Sequence, residues 1–325
     1  MSRLEDVARF ASAHRRLIGV LQLALLVLFF GLFGWGLRGT FDSAARDLDH
    51  SNLFLFGLAC VVLAMYYLAF VLGWMVILRE WGVRLGYPAA LRAEMVSMLA
   101  KYIPGGIWTP AARVVAARRA GVTDAALVTS SILLEAGLSA VAGVLVFVLS
   151  LAFVDDVQAP LAPLVVFGAV LAILVQPRVF RPLARKVLRR LGYKKELPNM
   201  RARTLYLLLC FYAATWVIGG FALWLILRSV GAHPEAASIV FLGGTAAVGA
   251  IVAVLFVFAP SGLGVREASM YGLLLAVATP GQALGAVALN RLALTGVELL
   301  LLLVGGLLMR RGRHVDAAAP AEVSS

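Results

Sequence analysis

Two uncharged stretches in the first quarter of the chain, Leu17 to Leu37 with 21 residues and Leu53 to Leu78 with 26, decide what it can fold into. A run of about 20 apolar residues is what a helix needs to cross the hydrocarbon of a bilayer. More such runs follow, and together they fix the class. Across 325 residues the chain is 62% hydrophobic and 14% charged, against about 45–50% and about 25% in soluble domains. A globule of this size cannot bury so much apolar side chain, so lipid must cover it. With no water to satisfy exposed backbone, helix is the expected spanning form. The expected class is therefore all-α, a polytopic helical membrane protein. A soluble enzyme, a disordered chain, collagen and a coiled coil are excluded.

The net charge of +12 would suggest nucleic acid in a soluble protein. Here the basic residues collect between apolar runs, as the positive-inside rule requires of cytoplasmic loops, and no nucleic-acid partner is expected. Arg3, Arg9, Arg15 and Arg16 precede the first run and hold the N-terminus inside. That run is longer than the core of about 7–15 residues in a signal peptide, so the small residues at Ser43 to Ala45 are not expected to mark a cleavage site.

The second run returns the chain to a basic segment from Arg79 to Arg119. The third, Ala125 to Val154, ends at Asp155 and Asp156 in a loop without a basic residue, and lies outside. The fourth, Pro160 to Gln176, is about 26 Å long and just crosses. It emerges into Arg178 to Arg203, which holds ten basic residues and one acid. The fifth, Thr204 to Leu227, goes out again. The last, Gln282 to Met309, ends at Arg310, Arg311 and Arg313 and leaves the C-terminus inside. Residues 1–16 are thus a cytoplasmic N-terminus, 17–310 a membrane domain in two halves of about 17–154 and 160–309, and 311–325 a disordered cytoplasmic tail.

Two segments break this pattern. Tyr87 to Val122 is too polar for an ordinary span, yet is apolar around Pro104, Gly105 and Gly106. Ala236 to Pro280 is apolar but split at Pro260, Ser261, Gly262 and Gly264, with an arm of 23 residues before the break and about 14 after it. Proline removes a backbone donor and glycine admits otherwise forbidden dihedrals, so a helix stops at each break and leaves amides and carbonyls free. In lipid those groups must be buried against protein or line a wet cavity. Each break is followed by an arginine on a new helix, Arg113 and Arg266, and a helix N-terminus beside an arginine suits an anion such as a lipid phosphate. The plain alternative is a pair of loops whose arginines meet surface acids or lipid. If both segments are re-entrant, the chain has six full spans and two inverted halves. If the second pair of arms crosses, it has eight.

Charge also occurs within spans. Ser131, Glu135 and Ser139 are spaced by four and form one stripe. Arg291, Thr295 and Glu298 share a face of the last span. A charge near the helix centre costs about 2.5–3.5 kcal/mol on insertion scales, so these residues should face inward and find partners. Arg291 and Glu298 are about 10.5 Å apart along the axis, too far for ready pairing, and Arg291 is expected to meet Glu135 or Glu267. The alternatives are a snorkelling Arg291 and purely structural hydrogen bonds for Glu135 and Glu298.

Other chemistry is scarce. His14, His50, His233 and His314 fall in loops or termini without ligand spacing, and Cys60 and Cys210 lie in apolar runs without a CxxC, so neither a metal site nor a disulfide framework is expected. No GxSxG, Walker loop or GxGxxG before a helix occurs. No cofactor is expected. Tyr102 and Trp108 flank the first break and could line a head-group site.

The string KYIPGGIW, then Arg113, the Arg118 to Gly121 turn and Glu135, and the string FAPSGLGVRE, then Arg291, resemble the flippase-like transmembrane family of lysylphosphatidylglycerol synthases. The likeness covers roughly residues 15 to 310. In the bifunctional synthases a similar region is thought to move the charged phospholipid between leaflets, while a soluble C-terminal domain attaches the amino acid. About 16 residues follow the last span here, so aminoacyl transfer is not expected. The resemblance implies a flippase-like transporter of an anionic phospholipid or a polyprenyl-phosphate-linked lipid in a bacterial or archaeal inner membrane.

The expected substrate site combines Lys101, Tyr102, Pro104, Gly105, Gly106 and Arg113 at the first break with Pro260, Gly262, Gly264 and Arg266 at the second. Glu135, Glu267, Arg291 and Glu298 would balance or gate the charge. The two breaks should meet inside the bilayer around a cationic hollow reached by water. An intramembrane lipid-modifying enzyme using Glu135 or Glu267 as base, or a scaffold for a separate lipid-synthesis enzyme, are the other classes.

Overall fold

A computed structural model describes residues 48–101, 108–152, 154, 166, 168–170, 172–174, 176–190, 198–256 and 260–316. Among these, all regular structure is helical. In chain order the helices are α1 (Leu53–Glu80), α2 (Tyr87–Ala100), α3 (Trp108–Arg119), α4 (Ala125–Ser150), α5 (Pro177–Arg190), α6 (Ala202–Ser229), α7 (Ile239–Leu255, entered through a single 3-10 turn Ala236–Ser238), α8 (Val265–Leu274) and α9 (Pro280–Asp316). Five stretches are long and apolar enough to cross a membrane: α1, α4, α6, α7 with its entry turn, and residues Pro280–Leu303 of α9. The expected first run and most of the fourth lie outside the described residues, as do 317–325. The last helix continues to Asp316, past the expected boundary at 310.

Local signals start and stop these helices. Asn52 caps α1, its Oδ1 accepting from the amides of Phe54 and Leu55 at 3.0 and 3.2 Å, and Asp124 caps α4 by accepting from Leu127 N at 3.1 Å. Each side chain satisfies donors that the first turn leaves open.

The outer surface of the helices is apolar as well as their core. Among the described residues Phe54, Met65, Leu149, Tyr206, Val254 and Leu300 are exposed, large apolar side chains of the kind that lipid covers. The mostly apolar interior also holds bonded polar groups. Trp74 Nε1 donates to Ser131 Oγ at 2.9 Å, and Trp216 Nε1 donates to the Ser139 carbonyl at 2.8 Å. The expected stripe on α4 is thus buried, with Ser131 bonded through its side chain and Ser139 through its carbonyl. In lipid, where apolar surface gives helices no reason to associate, small residues and such bonds hold them together. Gly220 of α6 lets two helix backbones come close: an added Cβ would sit 2.3 Å from Ile239 O and 2.4 Å from Gly243 N.

Two helical hairpins are inserted among the spans. In the first, α2 and α3 have 14 and 12 residues, about 21 and 18 Å, each short of the hydrocarbon thickness of about 30 Å. Ala90, Ala93 and Ala117 are fully buried in it, against Trp74 and Leu78 of α1 and Val128 and Ile132 of α4. In the second, α8 folds back along α7, since Gly262 lies against Ala253 and Gly249 against Arg266 and Met270. The arms have 20 and 10 residues, shorter than the 23 and about 14 expected. α7 is long enough to cross and α8 is not.

The order span, hairpin, span occurs twice, as α1, α2–α3, α4 and as α6, α7–α8, α9. α1 and α6 run antiparallel, with Asn52 N at the start of α1 donating to Ser229 O at the end of α6 at 2.8 Å.

Candidate functional site

The second break is built by three departures from helical backbone within four residues. Ser261, Gly262 and Gly264 have φ of 55, 65 and 85°, and only glycine adopts such values without a steric cost. The turn reverses the chain and opens a new helix N-terminus at Val265. Glu267 then reaches back, its Oε2 accepting from Gly264 N at 2.6 Å, so a carboxylate of the protein itself sits at the helix start. Its other oxygen, Oε1, takes Arg291 Nη1 at 3.2 Å, and that same guanidinium lies 3.4 Å from the Ser261 carbonyl. Of the two acids expected for Arg291, the structure selects Glu267.

Residues 102–107 and 257–259 lie outside the described residues, and with them Tyr102, Pro104, Gly105 and Gly106. Their flank is defined. Lys101, at the end of α2, forms an ion pair with Glu298 of α9, and Tyr67 of α1 donates its hydroxyl to the same Oε1 at 2.5 Å. Glu298 is 2% exposed, so the lysine and the phenol compensate a charge that solvent does not reach. Lys101 stands within electrostatic range of both Arg266 and Arg291. The flanks of the two breaks therefore converge on α9 and α1.

Arg266 completes this group. Its side chain crosses Gly249, where an added Cβ would come 3.3 Å from Arg266 Cγ. Its Nε is buried and has no hydrogen-bond partner among the described residues. A guanidinium donor removed from water without an acceptor is costly, and an incoming anion would remove that cost. Among the described residues, Lys101, Arg266 and Arg291 lie near the two acids Glu267 and Glu298, three cations to two acids.

Arg113 behaves differently from the expectation of a phosphate ligand at the first break. It is 5% exposed and forms ion pairs with Glu94 of α2 and Glu135 of α4. Its Nε approaches Ser97 Oγ at 3.5 Å, and its guanidinium covers the Trp74 ring at 4.9 Å. Tyr212 of α6 donates to Glu135 Oε1 at 3.4 Å. The donors of Arg113 are thus directed at protein acids, and it ties the first hairpin to α4. Among the described residues this cluster joins one cation to two acids. Tyr66 stands between them, within electrostatic range of Arg266, Glu135 and Glu298.

The sequence profile described as the lysylphosphatidylglycerol synthase TM region matches residues 16–305. The chain belongs to this family. A search of curated proteins gives no match. As a member of the lysylphosphatidylglycerol synthase transmembrane family, the protein is a multi-pass membrane protein related to phospholipid modification or transport.

Sequence reasoning did not find Glu94, Tyr66, Tyr67, Trp74 or Tyr212. For Glu94 a signal existed, because it is the one acid between Glu80 and Asp124 and Arg113 is the buried arginine of the same hairpin. The aromatic residues gave none, since a tyrosine in a span reads equally well as packing. The expected hollow would be bordered by residues 102–107 and 257–259, outside the described set. A cavity of about 740 Å³ lies elsewhere, between α4 and α6.

Proposed function

We propose that the protein carries an anionic lipid head group, of a phospholipid or a polyprenyl-phosphate-linked lipid, between the leaflets of an inner membrane. The observation that carries this reading is the convergence of Lys101, Arg266 and Arg291 beside the second break, with a buried Arg266 donor lacking a partner. A lipid phosphate would accept from Arg266 and draw Arg291 and Lys101 from Glu267 and Glu298. When it leaves, the two carboxylates resume the pairs. Such an exchange gives the buried Arg266 donor an acceptor while lipid is bound and returns Arg291 and Lys101 to their acids when it leaves, which limits the time any charge spends unpaired in a low-dielectric site. Rocking of one half against the other around this point would expose it alternately to the two sides. Arg113, bound to Glu94 and Glu135, anchors the first hairpin in this scheme and does not touch lipid.

The test is leaflet-resolved translocation in proteoliposomes, with fluorescent phosphatidylglycerol and a polyprenyl phosphate as separate probes and phosphatidylcholine as the neutral comparison. The wild-type protein should accelerate at least one anionic probe, and Arg266→Ala should abolish that acceleration. Equal rates in vesicles with and without protein, for both anionic probes, would overturn the proposal.

A further inference from the structure

The cavity between α4 and α6 is remote in character from the charge clusters. Its walls are Leu138, Val141, Val144, Leu145 and Val148 of α4, Leu205 and Leu209 of α6, and Gly168, Ala169 and Ala172 of the segment between. Its volume of about 740 Å³ is within the range of about 300–1,000 Å³ typical of ligand sites. From Leu138 to Val148 the wall extends for about 15 Å at 1.5 Å per residue. Gly168 lies against Val144, and with Ala169 and Ala172 it forms the wall that faces α4. The polar groups, Gln176 and Arg178, are at one end, where α5 begins. An elongated apolar slot with a cationic end has the shape and polarity of one tail and the head of an anionic amphiphile.

The surroundings name the source. α4 and α6 are long enough to span, and Leu145 and Tyr206, both lining the slot, are exposed, so the slot faces the hydrocarbon. α5 carries Arg178, Arg181, Arg185, Lys186, Arg189 and Arg190 and no acid. Its Phe180 and Ala184 pack against a core cluster to which α4 and α6 contribute most of the residues. A basic helix so held beside a membrane attracts anionic head groups.

We infer that this slot is a resident-lipid site: it takes one acyl chain of an anionic phospholipid, with the phosphate at Arg178 and the start of α5. It is separate from the residues assigned to head-group movement. The lipid held here would fill the gap between α4, which carries Glu135, and α6, which carries Tyr212.

Full-length protein reconstituted in phosphatidylcholine vesicles with a minor fraction of phosphatidylglycerol bearing a mid-chain diazirine tests it. After irradiation, adducts are mapped by mass spectrometry. They should concentrate on Leu138 to Val148 and on Leu205 and Leu209. Ala169→Phe and Ala172→Phe, which fill the slot, should reduce them about tenfold. Arg178→Glu should reduce labelling by the phosphatidylglycerol probe to a similar extent while leaving an equivalent phosphatidylcholine probe unchanged. Adducts spread evenly over lipid-facing positions such as Met65 and Val254, or labelling indifferent to all three substitutions, would overturn the inference. Arg178→Glu lies outside the core and tests the site even where a filling substitution impairs folding. Because the readout is occupancy, it stands or falls independently of lipid translocation.

Discussion

Arg291 and Glu298 stand two turns apart on α9 and hold different hairpins: Arg291 takes Glu267 of the second, and Glu298 takes Lys101 of the first. One helix thus braces both breaks with charges of opposite sign. The spacing that makes the two too distant to neutralise each other leaves each available to a hairpin. Tyr67 fixes Glu298 from α1, so this brace joins the two halves of the chain.

The brace should respond unequally to loss of its two members. The Lys101 side chain is 27% exposed and that of Glu298 3%. Lys101→Met leaves a buried carboxylate with its strongest partner removed and should cost about 3–5 kcal/mol. Glu298→Gln leaves a lysine that water can still reach, and should cost about 1 kcal/mol or less. Thermal unfolding of purified variants in detergent checks the order, and the Lys101→Met, Glu298→Gln double variant should recover most of the stability lost by Lys101→Met. The reverse order would mean that the carboxylate is hydrated.

Arg113 should behave as a structural residue. Arg113→Met strands Glu94 and Glu135 in a site where both are 3% exposed, and a loss of about 3–5 kcal/mol is expected. Adding Glu94→Gln and Glu135→Gln removes the two charges and should restore stability. A lipid-binding arginine would give the opposite pattern, with unchanged unfolding and weakened lipid binding, so measuring both on the same preparations decides between the roles.

Much of this architecture was legible in the sequence, for physical reasons that differ by element. The second span was expected at Leu53 to Leu78 and found at Leu53–Glu80, and the fifth at Thr204 to Leu227 and found at Ala202–Ser229, because an unbroken apolar run has one stable form in lipid. The second break was legible because Pro260, Gly262 and Gly264 have few uses within an apolar stretch. The partner of Arg113 was not. A buried charge announces that it needs a counter-charge, but which helix supplies it depends on how hairpins dock, and Glu94 entered only once α2 and α3 lay side by side. The tyrosines at 66, 67 and 212 were illegible for a related reason, since their hydroxyls acquire meaning only from the acids brought to them.

The second break should be sensitive to side chains in a graded way. Gly264→Ala forces a Cβ into a backbone with φ of 85° and should cost about 1–2 kcal/mol. Gly262→Ala adds a steric conflict to the same penalty, because its Cβ would lie 2.1 Å from Ala253 Cβ, and it should be the more damaging of the two. Ser261, with φ of 55°, already bears such a cost, so Ser261→Gly should be neutral or slightly stabilising. Unfolding midpoints of the three variants give the order, and an unaffected Gly262→Ala would show that α8 does not fold back along α7.

Adjacent glycines on α6 give a test of helix contact with its own control. At Gly219 an added Cβ meets nothing within 4 Å, whereas at Gly220 it meets the backbone of α7 at 2.3 and 2.4 Å. Backbone atoms cannot move aside as a flexible side chain would, so Gly220→Ala must separate α6 from α7. The cost expected for such overpacking is about 1–3 kcal/mol, and it should rise further for Gly220→Leu. Gly219→Ala gains helix propensity of up to about 1 kcal/mol and should be neutral or stabilising. Because α7 carries Gly249, across which Arg266 lies, separating these helices should also displace Arg266. Lipid translocation should therefore fall in Gly220→Ala and persist in Gly219→Ala. Equal behaviour of the two variants in unfolding would show that α6 and α7 do not approach this closely.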